Sequence, residues 1–177
     1  MLAVLFALSF AHAEDCATLT QRAFTGSMEA AEAAYADLDS ETFKKTLVFL
    51  DGELPCLDAR VSPDLAARYH LLVGLSEFGS GSRELADAHF RGAGWTYAEA
   101  GFHEGVPASH AVQEARRAAA KNVGAVNKAR RPKRGAVWFS GTEGVEYPAD
   151  GAVLFQLVDE QGDVTRSQLL RPGDPLP

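Results

Sequence analysis

The chain has 177 residues, 46% of them apolar, with a net charge of −7. That length sets one domain, or one domain with a small appendage, and that apolar content excludes an intrinsically disordered chain. The balance is acidic, so any cationic contact surface must be local, and nucleic acid is not its expected partner if the chain is exported.

Residues 1–13 read as a signal peptide. Leu2 to Phe10 is apolar, and Ala11-His12-Ala13 has the small-x-small pattern of a cleavage site. The run is too short to span a bilayer, so the expected mature chain begins at Glu14 and is periplasmic or secreted. The chain has two cysteines, Cys16 and Cys56. In an exported protein they permit a single intramolecular bridge, worth about 4 kcal/mol if loop closure alone sets its contribution. A first helix over about Thr18 to Leu38 carries Phe24, Met28, Ala31, Tyr35 and Leu38 on one stripe. After Asp39-Ser40, a second carries Phe43, Leu47 and Leu50. Cys16 precedes the first helix and Cys56 follows the second, so an antiparallel pair brings them together.

Ser62-Pro63-Asp64 starts a third helix, with Ser62 as its side-chain cap and Pro63 in its first turn. Leu65, Tyr69, Leu72 and Val73 line one face, while Leu71, Leu75 and Phe78 fill the other, the pattern of a helix buried between neighbours. Gly79-Ser80-Gly81-Ser82 breaks it. Leu85, Ala86, His89, Phe90 and Ala93 form the inward stripe of a fourth helix. Gly74 is followed twelve residues later by Ala86, then by Phe90 and Ala93. In this spacing the hairpin resembles a tetratricopeptide-type repeat, which uses small residues where its two helices cross closely. The family's Trp is His70 here, its Leu before the Gly is Val73, its Tyr is Glu77 and its closing Pro is Ala98. Ala31, Phe43, Leu47 and Leu50 repeat the twelve-four-three spacing with bulkier residues. The resemblance implies two stacked helical hairpins and a protein-binding role.

Gly101 to Gly105 reads as a loop and Pro107 as the start of an Ala-rich helix, with Val112, Ala115 and Ala119 inward, covering the open end of the stack. Between Ala115 and Arg134 stand eight basic residues and no acid: Arg116, Arg117, Lys121, Lys128, Arg130, Arg131, Lys133 and Arg134. This segment is either a solvated helix end with a flexible linker or a docking surface for an anionic partner. Lys128, Arg130, Arg131, Lys133 and Arg134 are the candidate contacts. No aromatic residues interleave them, so base stacking has no support. From Gly135 the period becomes two. Ala136 to Phe139, Ala152 to Val158 and Val164 to Leu170 are strands, with Asp159 to Asp163 a turn, and Arg171 to Pro177 is an extended tail.

The expected architecture is therefore mainly α, stacked antiparallel helical hairpins with a small C-terminal β element. Residues 14–122 form the helical domain, 123–134 a basic linker and 135–177 the β module. No motif carries chemistry. Gly74-Leu75-Ser76-Glu77-Phe78 departs from a nucleophile elbow, and Gly79 to Ser82 lacks the Lys of a phosphate loop. His103, Glu104 and His110 fit no ligand spacing. His70 and His89 sit on facing helices and could hold a metal with Glu77 or Asp87, but the zinc spacings are absent. No catalytic residue, cofactor or metal is expected. The sequence points to a non-enzymatic interaction or assembly module of a bacterial cell envelope. It would bind protein partners or an anionic envelope surface, and could oligomerise through its C-terminal strands. The alternatives are a metal-assisted hydrolase using His70 and His89, and a structural subunit of a surface assembly.

Overall fold

The computed structural model describes residues 18–122 and 124–177. The signal-peptide reading of residues 1–13 and the Cys16 end of the proposed bridge lie outside the described residues. Five helices come first: α1 (Gln21–Ala36), α2 (Ser40–Glu53), α3 (Pro63–Ser80), α4 (Arg83–Thr96) and α5 (Ala111–Lys121). The strands follow: β1 (Val126–Lys128), β2 (Ala136–Phe139), β3 (Thr142–Glu143), β4 (Glu146–Pro148), β5 (Val153–Val158) and β6 (Val164–Leu170). The chain is mainly α with a small C-terminal β region. No helix among the described residues is long and apolar enough to cross a membrane.

In α1 the Thr20 hydroxyl accepts from Ala23 N, and Phe24, Met28, Ala31 and Ala34 are buried. Leu38 does not join that stripe: it is 89% exposed at φ 60°. The helix closes with paired bonds, Asp39 N to Ala34 O and Leu38 N to Tyr35 O, which require a left-handed residue between them. Asp39 already caps α2 by accepting from Thr42 N, so Leu38 takes the left-handed position. The same closure ends α3, where Gly81 at φ 90° fills that position without strain. In α2, Phe43, Leu47 and Leu50 are buried as their spacing predicts.

Ser62 precedes α3, but its hydroxyl makes no capping bond. The turn after β2 packs there instead: a Cβ on Gly141 would lie 2.4 Å from Pro63 N. The α3–α4 crossing is close at the position the spacing marks. A Cβ on Gly74 would meet the Phe90 ring at 2.4 Å. Ala86, His89, Phe90 and Ala93 face inward, whereas Leu85, at the edge of the stripe in the first turn, is 38% exposed. α5 begins four residues later than Pro107 because residues 107–110 form a turn and His110 caps Val112 N at 3.2 Å. It buries Val112 and Ala119 and packs on α4, where a Cβ on Gly94 would approach Ala120 to 2.8 Å.

The larger sheet has the order β3-β2-β5-β6, all antiparallel, with β1 and β4 forming a second pair. Within residues 123–134, expected as a linker, Val126–Lys128 is thus a paired strand. The tail is not simply extended. Asp174 N donates to Arg171 O and Asp174 Oδ2 accepts from Arg171 N, closing a turn, and Leu176 packs beside the sheet core.

The β region is not an appendage. Ala152, Leu154 and Leu169 belong to the same core as Phe24, Tyr69 and Phe90. Two close approaches seat β5 on the helices. Ala152 N donates to Ala88 O at 2.9 Å, and a Cβ on Gly92 would fall 2.0 Å from Ala152 O. Arg91 Nε donates to Asp150 O at 2.9 Å on the same contact. On the other side, Gln156 ties β5 to the segment before α3. Its Oε1 accepts from Val61 N, and its Nε2 donates to Ala59 O and Ser167 Oγ, each at 2.9 Å.

Candidate functional site

Two groups of residues stand out: a buried histidine pair and an exposed cationic loop. His70 on α3 and His89 on α4 lie on the inward faces of the central hairpin, one ring against the other, with centroids 5.4 Å apart. Both are buried. Their Nδ1 atoms are 3.2 Å apart, and His70 Nε2 is 3.1 Å from Ser140 Oγ. Ser140 follows β2 at φ 46° and is fully buried. Its Oγ also accepts from Leu154 N at 3.1 Å.

Two tautomer sets fit these contacts. The Ser140 hydroxyl has two lone pairs, so besides accepting from Leu154 N it can either donate to His70 Nε2 or accept from it, and one of the two facing Nδ1 atoms donates to the other. Burial holds both rings neutral. It lowers the His70 pKa to about 3, and it puts His89 well below its usual value with help from His70 and Arg171. Tyr69, next in the chain, is pushed up by burial and by Asp51, to which its hydroxyl points at 3.4 Å. Neither Glu77 nor Asp87 joins the pair, and among the described residues no three potential metal ligands converge. Both rings are withdrawn from solvent, at 0% and 1% exposure.

The cationic segment divides in the structure. Arg116 turns inward and donates from Nη1 to Ala100 O at 2.6 Å, and burial lowers its pKa. Lys128 pairs with Glu146 at 3.0 Å across β1 and β4. Arg130, Arg131, Lys133 and Arg134 are exposed and form no ion pair among the described residues. Their loop is anchored at both ends. Ala129 N donates to Val145 O at 2.7 Å, and Gly135, at φ 71°, lies where a Cβ would be 2.0 Å from Val158 O. Beneath the loop is a cavity of about 250 Å³ lined by Arg131, Pro132, Val137, Glu143 and Val145.

The other candidates resolve into structural roles. His110 caps α5. The His103 ring meets Tyr35 edge-on and its Nδ1 accepts from Gly105 N. Its pKa is lowered, chiefly by burial, with Glu32 opposing and Arg68 assisting. Ser76 lies within α3, away from any strand-to-helix turn. Asp159 Oδ1 accepts from Gln161 N and Asp163 N, an ordinary hairpin turn.

Sequence reasoning missed Ser140 and Gln156. Each had a signal. Gln156 is the lone polar residue of an apolar run, and Ser140-Gly141 ends an apolar strand. No family model, curated protein or solved structure matches the chain.

Proposed function

We propose that this chain is a non-enzymatic interaction module of a bacterial envelope, docking an anionic partner on the loop Arg130–Arg134. The supporting observation is that four unpaired cations stand on a loop held at both ends. A loop already fixed loses little conformational freedom on binding, and clustered like charges raise the rate at which anions arrive. The partner is a protein or envelope surface carrying clustered carboxylates or phosphates.

Three further parts of the reading have support. A tetratricopeptide-like stack accords with the Gly74–Phe90 crossing and with the burial of Ala31, Phe43, Leu47 and Leu50 at the same spacing. The Cys16–Cys56 bridge accords with the bond from Leu19 N to Cys56 O at 2.9 Å, which brings the chain just after Cys16 to Cys56. Export accords with that bridge. Association through the C-terminal strands has less support, because β3 is two residues long and β6 lies beside the turn at Leu54–Cys56. No feature of the histidine pair favours the hydrolase alternative.

The test is co-sedimentation of the purified chain with envelope membranes at low and physiological salt, against the variant R130E/R131E/K133E/R134E. The expected result is recovery that falls with salt and is lost in the variant. Equal recovery of the two proteins would remove the loop as the contact.

A further inference from the structure

We propose that the corner between α1 and α2 is a self-association surface, on which Leu38 of one copy enters a hollow beside Leu38 of a second copy and receives that copy's Leu38 in return. Leu38 is costly where it stands. It holds φ 60°, a left-handed conformation that disfavours residues with a Cβ, and its side chain is 89% exposed. The equivalent closure of α3 uses Gly81 and carries neither cost. A leucine so exposed gains little from packing within its own chain. A strained backbone position that presents an apolar side chain to solvent points to a contact with another molecule.

Beside Leu38 lies its complement. A surface hollow of about 260 Å³ opens between the α1–α2 corner and the last turns of α3, walled by Leu38, Tyr35, Phe43, Lys44, Leu75 and Gly79. A cavity of about 150 Å³ accepts a benzene ring, so this hollow has room for a leucine side chain. The space reaches Gly79, where a Cβ would meet nothing within 4 Å. Val48, one turn along α2 from Lys44, is 74% exposed and extends the apolar face.

A surface with a projection next to a hollow fits its own copy across a two-fold axis, because each projection then meets the other copy's hollow. Charge selects the same occupant. Leu38 stands between two acids, Asp37 and Asp39, while a base, Lys44, lines the hollow. Asp37 and Lys44 are exposed and form no ion pair among the described residues. The exchange carries the acids of each copy to Lys44 of the other, so opposite charges meet on both sides of the axis. The face is small, which makes the dimer weak and dependent on concentration. It shares no residue with the loop Arg130–Arg134, so it holds whether or not that loop docks an anion.

The experiment is sedimentation equilibrium of the purified chain from about 10 µM to 1 mM, the range in which a small interface assembles. The weight-average mass of the wild type should rise toward twice the monomer mass. Leu38→Asn removes the apolar projection and keeps a residue that tolerates the left-handed conformation. Gly79→Met fills the hollow without a clash in its own chain. Each should raise the dissociation constant about tenfold or more. K44E, which sets acid against acid across the axis, should do the same, and D37K/K44E should recover part of that loss. Association of L38N and G79M equal to that of the wild type would overturn the proposal, as would a K44E loss that the double variant does not recover. A wild type that stays monomeric throughout would also overturn it and give the face to a foreign apolar segment.

Discussion

Replacing Gln156 with Leu keeps the volume near constant and removes the polar tie between β5 and the segment before α3. The wild-type side chain is 0% exposed and makes three bonds of 2.9 Å. In the variant the Val61 N–H loses its partner, the Gln156 Oε1, at a residue that is only 1% exposed. An orphaned buried donor costs about 1–3 kcal/mol. Ser167 fares better, since its hydroxyl also reaches Leu57 O at 3.4 Å, and Ala59 is half-buried with access to water. Each contributes about 0.5–1 kcal/mol. The added apolar burial of Leu returns part of this, leaving a net loss of about 2–4 kcal/mol. Urea unfolding at constant pH measures it as a lower midpoint with an unchanged slope. In a chain of this size the melting temperature should fall by about 5–15 °C. The control is Thr165→Val on the same sheet, which removes an exposed hydroxyl bond to Leu157 O and should cost under about 0.5 kcal/mol. If Q156L loses less than about 1 kcal/mol with the same slope, the three bonds do not carry the weight assigned to them.

Gly74→Ala forces a methyl to within 2.4 Å of the Phe90 ring and should destabilise by about 1–3 kcal/mol, with part regained in G74A/F90L by thermal melting. Gly92→Ala meets a backbone oxygen at 2.0 Å, which cannot move aside as a ring can. Its loss should exceed that of G74A in the same assay. Leu38→Gly relieves a left-handed residue that is 89% exposed, and should raise stability by about 0.5 kcal/mol or leave it unchanged; a loss above about 1 kcal/mol would show that the Leu38 side chain contributes through a surface hollow of about 260 Å³ that it lines with Phe43 and Leu75. Stability should fall as pH drops. Both buried histidines have folded pKa values below the unfolded value near 6.5, so their contribution is complete above that pH and diminishes as acid favours the unfolded chain. Each costs about 1.4 kcal/mol per pH unit below 6.5 until its folded pKa is reached, and a urea midpoint equal at pH 7 and 5.5 would contradict this.

Periodicity made the helices legible. Phe24, Met28, Ala31, Phe43, Leu47, Leu50 and the stripe from Ala86 to Ala93 are buried where their spacing puts them, because helix faces are a local property of the chain. The Gly74–Phe90 crossing was legible for a similar reason: a small residue opposite an aromatic marks close approach. Strands β2, β5 and β6 followed from alternation and turns. What escaped was either a matter of termini or of distance. Leu38 and Pro107 sit at helix ends, where closing bonds and caps override the stripe. Ser140 and Gln156 work through partners 70 and 95–97 residues away, and no local pattern encodes such pairs. The anchoring of the cationic loop depends on Val145 and Val158, far from it in sequence, so charge alone could not distinguish it from a free linker. The proposed function was the least legible part, because the reading rests on the placement of unpaired charges and not on a motif.

The sheet that closes the core has a consequence for how the protein is made. Leu154, Gln156 and Leu169 all lie within the last quarter of the chain, yet they complete a core whose other walls are the first two hairpins. Gln156 reaches back 97 residues to Ala59, and Ser167 reaches back 110 to Leu57. The helices therefore emerge first, with His70, His89 and the α4 surface around Gly92 uncovered, and they wait for β5 and β6 before they can be sealed. A chain truncated near residue 135 should be protease-sensitive, and the transition to a resistant form should come in a single late step, once β6 has emerged from the ribosome or the export channel.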